Sequence, residues 1–243
     1  MQILKKLRSL FTLMACGFYT AKAVTQILFF SSFGNTAAID KALQNWAYSL
    51  LRSLRVNWHV SNPHQIDLLP GQKYILMSNH ASLMDIPLIF AALPNNRIRM
   101  LAKKELFRIP FFGSAMKKAG FPAINRKNTE QAIHDLARVK EQMQEGIIPW
   151  IAPEGTRSRD GHLQHFKPGG FFLALQTGAT VIPIAIRGAA NIIPPDTFKL
   201  NLDQQVEIIL LPPIDANEYD MESRKKFIAD VRASIAQALG VAP

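Results

Sequence analysis

The 243-residue chain is 48% hydrophobic, enough apolar material for one sizeable core and too little for two large domains with a linker. Its one cysteine, Cys16, rules out an intramolecular disulfide and a cysteine-based zinc cluster. The formal net charge is +10, and residues 1–60 carry Lys5, Lys6, Arg8, Lys22, Lys41, Arg52 and Arg55 against Asp40 alone; set among Leu, Phe and Ile, these cations suit an anionic membrane surface rather than nucleic acid.

Between Ser9 and Phe33 the only charge is Lys22, so a helix here offers about 25 mostly apolar residues, the length that spans a bilayer. Lys22 near its middle, with Thr12, Tyr19, Thr20, Thr25 and Gln26, favours a helix lying partly in the interface. A second amphipathic run, 37–54, is expected to pair with it as a helical hairpin across residues 31–35. The basic start followed by an apolar run also fits a cleavable leader, and Leu13-Met14-Ala15-Cys16 loosely fits a lipoprotein box. Apolar residues continuing to Phe30, past either cleavage point, favour a retained segment. Lys5, Lys6 and Arg8 would hold the N-terminus on the cytoplasmic side.

Beyond residue 55 short β-type runs alternate with helical ones, which argues an α/β domain. Strands are expected at 56–60, 74–77, 98–102, 147–151, 181–186 and 206–211. Asn128 ahead of Thr129-Glu130-Gln131 is a helix start and Gly146 a stop; a further helix is expected over 220–239, ending at Gly240. No repeat or linker divides this part. The expected organisation is an α/β fold: one catalytic domain, 56–243, with a mixed sheet flanked by helices, preceded by a membrane-associated two-helix module, 1–55.

The segment Ser78-Asn79-His80-Ala81-Ser82-Leu83-Met84-Asp85-Ile86-Pro87 follows an apolar strand, where α/β enzymes place reactive groups. Five residues along a regular helix separate two side chains by about 140°, so His80 and Asp85 meet only if His80 lies in the turn and Asp85 near the next helix start. Pro87 supports that, because proline is tolerated in a first helical turn. The plain alternative is an N-capping Asp85 and a turn histidine. One carboxylate can do both, capping with one oxygen and holding the imidazole N–H with the other, which leaves the second ring nitrogen free to take a proton. No G-x-S-x-G elbow supplies a protein nucleophile, so that proton would come from the substrate's own hydroxyl. The G-x-G-x-x-G, G-x-x-x-x-G-K-[ST] and H-E-x-x-H patterns are absent as well. His162 and His165 lack a third ligand and read as surface residues.

A second turn, Pro153-Glu154-Gly155-Thr156-Arg157-Ser158, follows another apolar strand. Glycine lets backbone approach a ligand, the hydroxyls donate, and an arginine fork suits phosphate; the same residues also fit a polar surface turn.

With these two turns the sequence resembles the lysophosphatidic acid and glycerol-phosphate acyltransferase family, marked by Asn-His, four residues, Asp, and then Glu-Gly-Thr-Arg downstream. Further matches lie in order at Ala102-Lys103-Lys104-Glu105-Leu106 with Pro110 and Gly113, at Gly120-Phe121 and Arg126, at Phe166-Lys167-Pro168-Gly169, and at Val181-Ile182-Pro183-Ile184. The resemblance covers about residues 55 to 215. It implies that His80 deprotonates the acceptor hydroxyl and Asp85 orients and charge-balances it. Glu154, Gly155, Thr156 and Arg157, with Lys103 and Arg126, would bind the glycerol-phosphate end, and Pro183 would help form the acyl-donor side. It further implies acyl-CoA or acyl carrier protein as donor, lysophosphatidate as acceptor, no metal or other cofactor, and work at the cytoplasmic face of the inner (plasma) membrane. One departure is Asn125, where the family commonly has aspartate. This puts the acceptor headgroup in question, so another lyso-lipid such as a lyso-ornithine lipid is the alternative acceptor. A lipid-binding protein without turnover is the alternative of a different class.

Overall fold

A computed structural model of the chain describes residues 2–125, 129–158, 162–194 and 200–242. Helix α1 (Gln2–Ser31) turns back through Gly34, at φ +63°, into α2 (Thr36–Ser53), whose first turn is capped by Asn35 accepting from the Ala38 amide at 3.0 Å. Two of the hydroxyls that dilute the apolar run, Thr20 and Thr25, are satisfied within the hairpin. Thr20 donates to the Cys16 carbonyl and Thr25 to that of Ala21, and Trp46 Nε1 donates to Thr20 Oγ1 at 3.1 Å across the two helices. Leu7–Ser31, 25 residues of mean hydropathy 1.3, is long and apolar enough to cross a membrane by length and composition. Its outer face exposes Phe11, Leu13, Met14 and Phe18.

The chain then alternates: β1 (Asn57–Ser61), β2 (Tyr74–Ser78), α3 (Asp85–Ala92), β3 (Ile98–Met100), β4 (Ala102–Lys103), a 3-10 turn (Lys104–Arg108), α4 (Phe112–Lys118), β5 (Ala123–Ile124), α5 (Thr129–Gln144), β6 (Ile148–Ile151), α6 (Gly169–Thr177), β7 (Thr180–Arg187), β8 (Gln205–Leu210), β9 (Ile214–Asp215) and α7 (Arg224–Leu239). The main sheet runs β1-β8-β7-β2-β6-β3, with β9 also on β7. Strand β7 pairs antiparallel with β8 and β9, and the other pairings are parallel, so the sheet is mixed. Strand β2 is buried along its whole length, as its unbroken apolar run requires of a central parallel strand.

Alternation along the strands divides the core in two. Leu76, Trp150, Ile182, Ile184 and Ile208 pack with α2, α3 and Ile27 of α1. Ile75, Met77, Val181 and Ala185 pack with α5, α6 and α7. The helical hairpin therefore shares a core with the sheet.

Six strands and the long helices fall within a few residues of expectation, with two differences. The run 98–102 breaks at Leu101, where the partner changes: the Leu101 amide donates to Trp150 O on β6, and the Ala102 amide to Pro122 O beside β5. Helix α7 starts at Arg224 rather than 220, because Asp220 and Ser223 form a reciprocal capping pair ahead of it, each side-chain oxygen accepting the other's amide.

A charge in an apolar strand needs a partner, and Arg99 of β3, 2% exposed, has several. Its guanidinium pairs with Asp40 of α2, donates to Ala119 O at 2.5 Å and Ile98 O at 2.8 Å, and lies 5.7 Å from the Phe121 ring centroid. It bolts the hairpin and the α4–β5 turn to the sheet. Arg99→Met should lower the unfolding free energy by about 2 kcal/mol in a urea titration, since it takes a charged donor from the Ala119 and Ile98 carbonyls and leaves Asp40 with Arg97, at 3.4 Å. A loss near that of an exposed pair, about 0.5 kcal/mol, would remove this bolt from the determinants of stability.

Candidate active site

The parallel neighbours β2 and β6 end at the same edge of the sheet, which brings their following turns together. Asn79 fixes the end of β2: its Nδ2 donates to Ile186 O at 2.9 Å, and its Oδ1 accepts the Ile186 amide at 2.8 Å, as an extra residue of sheet pairing would. Beneath it, Ser78 Oγ accepts from Trp150 Nε1 at 3.0 Å. The Trp150 ring stands edge-on to His80 with centroids 6.2 Å apart. Sequence reasoning quoted Asn79 as part of a motif but gave it no task, and it did not single out Trp150.

His80 lies in the turn and Asp85 opens α3, so the two meet: His80 Nδ1 is 2.8 Å from Asp85 Oδ2. The His80 side chain is 18% exposed and Asp85 fully buried. The division of labour expected for the carboxylate is corrected. The cap position is Met84, and Asp85 bonds no amide of its own helix. Instead Oδ2 alone takes the imidazole and also accepts the Ala81 and Ser82 amides, at 2.8 and 2.9 Å, while buried Oδ1 accepts from none of the described residues. A carboxylate acceptor places the ring proton on Nδ1 and leaves Nε2 free.

Glu154, expected among the phosphate contacts, has both carboxylate oxygens engaged by backbone amides. Its Oε1 accepts the His80 amide at 2.6 Å and its Oε2 the Gln164 amide at 2.8 Å, with the residue 4% exposed. A buried carboxylate committed to backbone amides joins turns together and repels a phosphate. The Ser158 amide completes the seam by donating to His80 O at 2.8 Å. Gly155 holds φ +76°, a conformation that L side chains rarely adopt, and the end of the Lys167 side chain lies close over it. Thr156 is exposed and Arg157 half-buried, one residue from the Ser158–His80 bond.

Lys103 ends β4, exposed and in register with Ile124. Arg126 lies outside the described residues, as does Asn128. Ahead of Arg126, the Asn125 backbone amide donates to Asp135 Oδ2 at 2.9 Å, which sets a buried carboxylate of α5 beside the backbone at this position. His162 and His165 are exposed. Among the described residues no cluster of three His, Cys, Asp or Glu is placed to hold a metal ion.

An apolar cavity of 290 Å³ opens beside the histidine turn. Leu83, Met84, Ile86 and Pro87 form one wall, and residues of α1, α2 and α4 the others. A groove of 780 Å³ shares Met84 and Phe112 with it and runs out between α1 and residues 110–112. Pro183 is not in either lining. It sits in β7 on the face of Val181 and Ala185, toward α5 to α7, whereas the cavity is on the opposite side. Lacking an N–H, it occupies the point where the edge partner of β7 changes from β9 to β8.

Residues 58–187 match the family model described as Acyltransferase. The chloroplastic 1-acyl-sn-glycerol-3-phosphate acyltransferase of Arabidopsis thaliana is 32% identical over 155 residues, covering 63% of this chain and 43% of that protein. The 1-acyl-sn-glycerol-3-phosphate acyltransferase of Salmonella typhimurium is 33% identical over 144 residues, 57% of this chain and 56% of its own. The chain thus spans about half the length of the curated relatives it matches. The crystal structure of a 1-acyl-sn-glycerophosphate (LPA) acyltransferase from Thermotoga maritima superposes with a TM-score of 0.80 at 23% identity, over 98% of this chain and 96% of that one, a likeness of fold.

Burial is the largest influence on Glu154 and holds its carboxyl above its ordinary 4.5, with the Gln164 and His80 amides opposing. The folded chain therefore binds this proton more tightly than the unfolded one, and the contribution to stability, complete below 4.5, is lost as pH rises through the raised value. Glu154→Gln cannot ionise, so the stability of the parent relative to this variant should fall with rising pH across that window in denaturant titrations. Parallel pH profiles would show that the carboxyl is not held above its ordinary value.

Proposed function

The chain belongs to the acyltransferase family, and we propose that it transfers a fatty acyl group from an acyl thioester to the free hydroxyl of 1-acyl-sn-glycerol-3-phosphate, forming phosphatidic acid. The observation that carries this reading is the His80–Asp85 pair, at 2.8 Å, on a turn seamed to Gly155-Thr156-Arg157 and opening beside an apolar cavity. The names of the relatives supply the substrate class.

His80 Nε2 takes the proton of the acceptor hydroxyl as its oxygen attacks the thioester carbonyl. Asp85 Oδ2 holds Nδ1–H and balances the imidazolium that forms, in a buried setting where that balance is strong. The tetrahedral intermediate collapses, the thiolate leaves, and the imidazolium returns its proton to it. Arg157, Gly155 and Thr156 bind the phosphate, with Lys103 and Arg126 adding charge. The cavity takes an apolar chain. Acyl-CoA or acyl carrier protein serves as donor.

Residues 1–55 seat the chain in the cytoplasmic face of the inner (plasma) membrane as two embedded helices, and residues 56–243 carry the chemistry. The exposed apolar face of α1 supports this placement, and it lets a single-chain acceptor reach the site without crossing water. Asn125 keeps a second acceptor in view, a lyso-lipid with another headgroup.

An assay with lysophosphatidate and acyl-CoA, with product identified by mass, tests the reading. In it His80→Ala should lower turnover by about 10²- to 10⁴-fold with little change in thermal midpoint, since the base sits in a turn. Retention of most activity would overturn the mechanism, and free fatty acid in place of diacyl product would make the reaction a hydrolysis. Arg157→Lys should raise the apparent KM for lysophosphatidate far more than that for the donor, because a point charge cannot reproduce a guanidinium fork. Equal changes would take Arg157 out of phosphate recognition.

A further inference from the structure

The segment from the 3-10 turn through α4, residues 104–118, belongs to neither the embedded hairpin nor the reacting groups, and its surface is unusual. Ile109 is 46% exposed and Phe111 73% exposed at its tip. The flanks expose Lys104, Arg108, Lys117 and Lys118, against one acid, Glu105. Single exposed apolar residues are ordinary, but this tip is built to stay outward. Phe111 has φ +59°, a conformation that a bulky side chain rarely adopts. The turn holding it is tightly bonded: the Phe112 amide donates to Pro110 O at 2.6 Å, Gly113 to Ile109 O and Ala115 to Phe111 O, both at 2.8 Å. Gly113 fixes the approach, since a Cβ there would stand 2.2 Å from Phe107 O. A strained backbone thus displays an aromatic ring to solvent. The fold gives that ring no partner to pack against within the turn.

Position suggests the occupant. Pro110, Phe111 and Phe112 form one bank of the 780 Å³ groove whose other bank is α1 at Leu13, Gly17 and Ala21. The apolar tip and the exposed face of α1 therefore stand on the two sides of one opening that leads to Met84, beside Asp85. A second copy of this chain would bring a net charge of +10 against these cations, whereas an anionic lipid surface complements them and accepts an aromatic tip. We infer that residues 104–118 form a second membrane contact, a basic hairpin tipped by Phe111 that enters the interface of an anionic bilayer across the groove from α1. With α1 on one side and Phe111 on the other, the bilayer closes over the opening and water is kept from the path to the histidine turn. This inference rests on the proposed seating of α1 and adds to it a site outside the hairpin.

The test uses the full chain with Cys16→Ser as background and single cysteines at Phe111→Cys, Phe18→Cys and Lys225→Cys, each carrying an environment-sensitive fluorophore. Vesicles of phosphatidylcholine and phosphatidylglycerol are added, with and without a nitroxide-labelled lipid. The labels at 111 and 18 should shift to the blue and be quenched, and the label at 225, exposed on α7, should do neither. Phe111→Ser in the otherwise unchanged chain should partition about tenfold more weakly onto the same vesicles, as the loss of one buried aromatic side chain implies. A label at 111 that stays in water while that at 18 is shielded would overturn the second contact and leave the seating of α1 intact. If neither is shielded, both fall. Unchanged partitioning of Phe111→Ser would also overturn the inference.

Discussion

Asp85 Oδ2 receives three hydrogen bonds within 2.9 Å, from the His80 ring and from the Ala81 and Ser82 amides, inside a side chain with no exposure. Much of the local chain is shaped to make this possible. The turn must double back within five residues for its amides to face the head of the next helix. The helix must then begin at the aspartate itself, where its N-terminal dipole favours a negative charge. Proline two residues later costs the helix nothing in its first turn. Removing any of these would leave a buried carboxylate short of donors, which is costly. The arrangement of the imidazole is thus secured by the same bonds that form the turn.

Other residues hold that turn in place. Asn79 sews its start to β7 and Glu154 sews its middle to the turn after β6, each through both polar atoms of one side chain. Neither donates a group to the proposed reaction. Both are polar and buried, and side chains of that kind nearly always have hydrogen-bond partners. They hold the proposed proton acceptor and the proposed anion-binding turn at a fixed separation, which a loop-borne site needs if it is to be preorganised.

How far this was readable from sequence depended on range. Strands β2, β6 and β7 were visible as short apolar runs, and helix geometry with the tolerance for Pro87 set the condition under which His80 and Asp85 could meet. These are local matters. What could not be read were tasks set by distant partners. Glu154 came to the phosphate site only through the family resemblance, and it takes the tertiary fold to show that the His80 and Gln164 amides occupy its oxygens. Pro183 was placed on the acyl-donor side by the family resemblance alone. The face it takes is set by sheet register, which sequence does not fix across a crossover. Arg99 carried a usable signal, a lone cation inside an apolar strand, but its partner is 59 residues away.

Because α2 fills the same core as the inner face of the sheet, the hairpin is not a detachable handle. Its residues belong to the cluster that holds Leu76, Leu88 and Ile184, side chains with no exposure in the intact chain. A hairpin packed this way cannot drift in sequence independently of the core it shares. If α1 is seated as proposed, the residues that place the chain at a boundary and those that close its core lie on one hairpin, and α2 has to satisfy both.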